Sequence, residues 1–158
     1  MRSAKCSPEF LRRISSQRRS AQRGIESISD YVEWRAALLT PEHLDGLRVE
    51  LPLLNLQFAA IMAPQFPHLL EQLKLLADFF EDTADGVFPA GCEASRKETA
   101  FALLYTAKEA DIIPDSVHEI GYIDDSFIVR TVLSRHLDVF HDYCLFRRIH
   151  RSKSFFAP

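Results

Sequence analysis

Between residues 109 and 129 the chain carries Glu109, Asp111, Asp115, Glu119, Asp124 and Asp125 with no Lys or Arg among them. Two carboxylates 4 Å apart repel by about 1 kcal/mol in water and about 4 kcal/mol at an effective dielectric of 20, so such a run needs caps, a cation or a shared proton. Asp111, Asp115, Asp124 and Asp125 offer the oxygen ligands that Mg²⁺ or Ca²⁺ takes, although their spacing is not that of an EF-hand. The favoured alternative is that Asp115 and Asp124 or Asp125 cap helix N-termini, where a carboxylate meets unpaired N–H groups and the positive end of the dipole. A basic partner surface is a third reading. His118 lies in the same run and is of the type whose charge ordinarily changes near neutral pH, which would suit a ligand or an acid–base role; a surface histidine is the commoner outcome.

Other constellations are weaker. Asp138 and His141 stand at i,i+3, a spacing that di-iron bundles use with Glu, but such sites need several more carboxylates from other helices, and a solvated face is expected. No Gly-x-Ser-x-Gly elbow occurs, and Cys6, Cys92 and Cys144 lie far apart without a CxxC pair, which reads as reduced thiols. Only five glycines are present, unclustered, so phosphate-binding Gly-rich loops and turn-dense β-sandwiches are set aside.

Helices must position these residues. Leu and Ala number 35 against 22 for Val, Ile and Thr together in a chain of 158 residues, which favours helix over strand. Ser7-Pro8-Glu9 and Thr40-Pro41-Glu42 are helix starts. Phe10, Leu11, Ile14, Ala21, Ile25, Ile28 and Val32 follow the first at helical spacing, giving one long helix or two broken near Gly24. After the second, Leu44, Leu47, Leu51, Leu54, Phe58 and Ile61 form a stripe that Pro52 should kink. Leu69 to Phe80 form a third stripe ending at Asp85-Gly86. Ser95-Arg96-Lys97-Glu98 reads as a capping box, and a last helix starting at Asp124 or Asp125 would carry Ile128, Val132, His136, Phe140 and Tyr143 on one face. No internal repeat and no heptad run is visible. Leu51 to Leu70 contains no charged residue, but its prolines and polar residues make it core rather than a membrane span. The expected fold is all-α: a compact body of five or six helices with a central hairpin, and Trp34 packing where the arm meets it.

The run from Tyr105 to Ile128, YTAKEADIIPDSVHEIGYIDDSFI, resembles the YkvA-like family, catalogued as domain of unknown function 1232. Asp111, Ile113, Pro114 and Asp115 match the first half of its hallmark, and Gly121, Tyr122, Asp124 and Asp125 the second. With weaker helical similarity on both sides the resemblance covers about residues 73–143. The chain departs from the pattern at Lys108 and Glu109, where the family usually has a small residue and Pro, and at His118, where it has a second Pro. The resemblance implies a small helical hairpin module, found mainly in bacteria, often beside membrane segments or other domains, with no established activity.

Charge is segregated. Residues 1–23 carry seven Lys or Arg against Glu9 alone, and residues 36–146 hold 18 acids against seven bases. The organisation expected is a basic helical arm over 1–35, a body over 36–150 containing the hairpin module, and a basic, aromatic tail over 151–158. The termini should fold back onto the acidic body, in cis or in a dimer. Arg12, Arg13, Arg18 and Arg19 mark the face by which the arm would meet an acidic partner. The function expected is a non-enzymatic protein-interaction or adaptor module acting through charged helical surfaces, with another protein or a second copy as partner. The contrasting readings are a divalent-cation-dependent enzyme or metal-binding protein at the acidic run, and binding of nucleic acid or an anionic membrane surface by the arm. No cofactor is expected apart from the Mg²⁺ or Ca²⁺ of that contrasting reading, and no small-molecule partner is implied. Without an apolar h-region or a spanning segment the chain reads as cytoplasmic or membrane-peripheral, while its Arg- and Ser-rich, acid-poor start also resembles an organellar transit peptide.

Overall fold

A computed structural model describes residues 27–107 and 122–156. Among them every regular element is a helix: α1 (Ile28–Ala37), α2 (Pro41–Ala59), α3 (Leu69–Ala84), α4 (Glu93–Ala107), α5 (Ile123–Arg135), α6 (Leu137–Phe146) and the single turn α7 (Lys153–Phe156). The all-α expectation holds, with more elements than five or six. None of these helices is long and apolar enough to cross a membrane.

Local chemistry sets the boundaries. The Ser27 hydroxyl accepts from the Asp30 N–H to open α1. Thr40 opens α2 with a full capping box, its side chain accepting from the His43 N–H while His43 Nδ1 accepts from the Thr40 N–H at 3.1 Å. Pro41 follows, where its missing N–H costs nothing. Pro52 stands inside α2 and leaves the Arg48 carbonyl without its helical donor. α3 ends as expected at Asp85-Gly86: Gly86 has φ +72°, and the Val87 N–H donates to the Asp82 carbonyl at 2.8 Å, a Schellman close. α6 closes in the same way, the Ile149 N–H donating to the Cys144 carbonyl at 2.8 Å, but here Arg148 occupies the left-handed position at φ 55°.

The core forms where α3 and α4 meet the other helices. α4 packs against α1, α2, α3 and α5, and α3 against α2, α4 and α5. α2 contributes Leu47, Leu51, Leu54 and Phe58, and α1 contributes Val32 and Ala36. At the far end of α3 the Phe79 ring lies 4.8 Å from Phe140 and 5.3 Å from Tyr143, and Phe88 closes on Tyr143 at 5.1 Å. Trp34 is half-buried, 6.3 Å from the Tyr31 ring.

Three expectations are corrected. Ser95-Arg96-Lys97-Glu98 is not a capping box, because α4 already begins at Glu93; the Ser95 hydroxyl donates to the Cys92 carbonyl at 2.8 Å, and Glu98 is drawn away to α5 and its end. The last helix is two, since His136 leaves helical geometry at φ −122°, ψ 35° and lets α6 turn Phe140 and Tyr143 onto α3. Leu51 to Leu70 is not core throughout: Leu51, Leu54, Phe58 and Leu69 are buried, whereas Leu53, Leu56 and Met62 face solvent.

The basic C-terminal stretch does fold back in cis. Arg147 pairs with Asp82 at 2.7 Å and Arg151 with Glu71 at 3.0 Å, while Phe155 and Phe156 are buried and Gln72 Nε2 donates to the Phe155 carbonyl at 2.7 Å. The helix start at Ser7-Pro8 and the arm face of Arg12, Arg13, Arg18 and Arg19 lie outside the described residues.

Candidate functional site

The acidic run is described only at its C-terminal end. Tyr122 is the N-cap of α5, and Asp124 and Asp125 follow as its second and third residues, both buried. They do not occupy the cap position that the sequence suggested, yet they still sit in the first turn, where the helix dipole favours a carboxylate. The Tyr105 hydroxyl donates to Asp124 Oδ2 at 2.8 Å, tying the end of α4 to the start of α5. Asp111, Ile113, Pro114, Asp115, His118 and Gly121 lie outside the described residues, so the carboxylate quartet is not assembled here. Among the described residues no group of three or more His, Cys, Asp or Glu is placed to hold a metal. Asp138 and His141 are exposed on α6, and the His141 ring packs 4.8 Å from Phe156.

Two buried carboxylates organise the charges instead: Asp82, which no sequence motif singled out, and Glu98, which the sequence presented only as part of a capping box. Glu98 on α4 accepts from Arg135 Nε at 2.8 Å and Nη2 at 3.0 Å, and its Oε2 lies 2.9 Å from His136 Nε2. The same guanidinium reaches Ser29 and Glu33 on α1. Burial by itself would raise the Glu98 carboxyl, but the hydrogen bonds and charges of His136 and Arg135 outweigh it and hold the group below its usual range. On α3, Asp82 accepts from the Tyr143 hydroxyl at 2.6 Å and from Arg147 Nε and Nη2 at 2.7 and 2.8 Å. Burial, then the bond to Asp82, push the Tyr143 phenol well above its ordinary range. Their partners lie 37 to 65 residues away in sequence, which no spacing rule reads.

Among the described residues a groove of about 570 Å³ opens between α1, α2 and α4. Leu39, Leu47, Phe101 and Leu104 give it an apolar lining, and Glu42 and Glu50 stand on the α2 side. On the α1 side the Arg35 guanidinium lies 6.0, 5.9 and 5.8 Å from the ring centres of Tyr31, Trp34 and Phe101. Rings at that distance attract a cation through their quadrupoles, which steadies the side chain at the groove edge.

Residues 97–130 match the family model described as a protein of unknown function (DUF1232). The match runs from the second turn of α4 through most of α5, inside the wider span of the resemblance. No curated protein and no solved structure matches the chain.

Proposed function

We propose that this chain is a non-enzymatic protein-interaction module whose groove between α1, α2 and α4 receives a segment of another protein. The observation that carries this reading is the groove itself, about 570 Å³ with an apolar floor, a steadied cation at one edge and two carboxylates at the other. An apolar groove between helices can take the apolar face of a peptide segment, with the charged groups at its edges fixing the orientation. The buried carboxylates supply little to a catalytic alternative, because Asp82 and Glu98 are engaged by arginine, tyrosine and histidine partners that hold helices together.

The test is photo-crosslinking in the native cell with a crosslinking residue in place of Leu39, and a control in place of the exposed Lys74 on α3. A discrete adduct to a different protein from position 39 alone is the expected result. Adducts from both positions, or only to a non-protein ligand, would overturn the reading. The cation-dependent alternative is checked by melting the protein in Mg²⁺, Mn²⁺ or Ca²⁺ against chelator, since a ligand at 100 times its Kd stabilises by about 2.7 kcal/mol.

A further inference from the structure

Helix α2 has two apolar faces, and the fold uses one. Leu47, Leu51, Leu54 and Phe58 point into the core. On the opposite side Gly46, Val49, Leu53, Leu56 and the C-cap Ala60 follow one another at steps of three, four, three and four, and all are exposed. Val49 retains 81% of its accessible surface, Leu53 59% and Leu56 71%, and Met62 just beyond retains 85%. Steps of three and four place residues along a seam of the kind through which two helices pair. This seam was hidden in a sequence in which no heptad run was visible, because small residues end it on both sides.

We infer that the outer face of α2 is a self-association surface, on which a second copy of this chain lays its own α2 antiparallel about a two-fold axis at Leu53. Read outward from Leu53, the seam offers Val49 one way and Leu56 the other, then Gly46 and Ala60. A two-fold axis therefore sets Leu53 against Leu53, branched against branched and small against small, which is the self-complementarity an isologous interface requires. Gly46 supplies a second observation. Glycine weakens a helix interior relative to alanine, and a Cβ added here would meet nothing within 4 Å. No packing within the single copy fills the space at 46, which lies where the groove meets the seam, and a neighbouring helix crossing there would use the bare backbone.

Charge selects the direction. Glu42, Asp45, Arg48 and Glu50 all stand in the first half of α2, and Leu51–Ala60 carries none. Antiparallel pairing lays the charged half beside the partner's uncharged half, while parallel pairing would set each carboxylate near its own copy. An anionic lipid surface is disfavoured as the occupant, since residues 36–146 hold 18 acids against seven bases. The four exposed side chains offer about 300–400 Å² of apolar area per copy, short of the roughly 800 Å² of a standard interface, so the dimer is weak, with Kd on the order of 10 μM. This surface goes beyond the groove, which borders it at Gly46, and the dimer stands or falls apart from any crosslink at position 39.

Sedimentation of the full chain from 1 to 500 μM reads the association. The wild type should pass from monomer to dimer, and Leu53→Glu, at an exposed position the fold tolerates, should weaken it about 100-fold by setting two carboxylates on the axis. Val49→Glu should weaken it too. Adding Leu56→Lys to Val49→Glu should restore at least about tenfold, because in the antiparallel register position 49 faces position 56 of the partner subunit. A wild type that stays monomeric throughout, as it would with residues 1–26 lying on the seam, overturns the inference. So does a dimer indifferent to Leu53→Glu, or a double variant no better than Val49→Glu.

Discussion

Glu98 is held by Arg135 and His136 with its carboxyl below the ordinary glutamate value of 4.5. A carboxylate depressed in the folded state contributes stability that is complete above its unfolded pKa and is lost as pH falls through the lower folded one. Urea unfolding should therefore find Glu98→Gln less stable than wild type at pH 7, with the gap closing as pH drops below about 4.5. A gap constant down to pH 3 would count against this assignment. The two described cysteines differ as sharply. The exposed Cys92 thiol is lowered by its hydrogen bonds with the Ser95 side chain and N–H, while burial pushes the Cys144 thiol up. Iodoacetamide labelling of the native protein, read by peptide mass, should modify Cys92 first and reach Cys144 only on unfolding. Equal labelling would show that Cys144 is less enclosed than its packing implies.

The ends of α3 and α6 are two versions of one device, with glycine at the left-handed residue in the first and arginine in the second. Gly86→Ala should cost about 1 kcal/mol, all of it backbone, since nothing lies within 4 Å of the added Cβ. Arg148→Gly should gain about as much, because an L side chain in that conformation is itself strained. Denaturant midpoints for both would check the pair, and changes of the same sign would refute the strain argument. The sequence announced the first of these stops and not the second, because Asp85-Gly86 carries the residue that the geometry needs, whereas Arg147 and Arg148 look like solvated charge. The same distinction runs through the fold. Thr40-Pro41 and the stripe Leu47, Leu51, Leu54 and Phe58 were legible because caps and periodicity are local. The break at His136 was not, because the stripe continues through it and the partner that helps to hold it, Glu98, is 38 residues away. Of the candidate site, Asp124 and Asp125 were placed to within one or two residues of their helix start, but the groove edge at Arg35 depends on Phe101, which reaches it only after α4 packs against α1.

At the scale of the whole molecule the chain closes on itself through its last described turn. Phe155 is buried against α3, its ring 5.9 Å from His68 and 5.0 Å from Phe156. Truncating such a ring removes both transfer energy and contacts, so Phe155→Ala should destabilise by about 3–5 kcal/mol, measured by thermal and denaturant unfolding. A loss under 1 kcal/mol would mean that α7 is merely adjacent to the core. Gln72 strengthens the closure, since its buried amide donates to the Phe155 carbonyl and would be left without that acceptor if the turn peeled away. That arrangement sets the order in which the protein yields to force. Tension applied from the C-terminal side meets α7 first, a single turn held by one amide, two rings and the Arg151–Glu71 pair, which unzips one contact at a time instead of shearing a helix along its length. An unfoldase pulling from that side would thus gain an easy first grip, and its harder step would come next, at α6, where Asp82 fastens Tyr143 and Arg147.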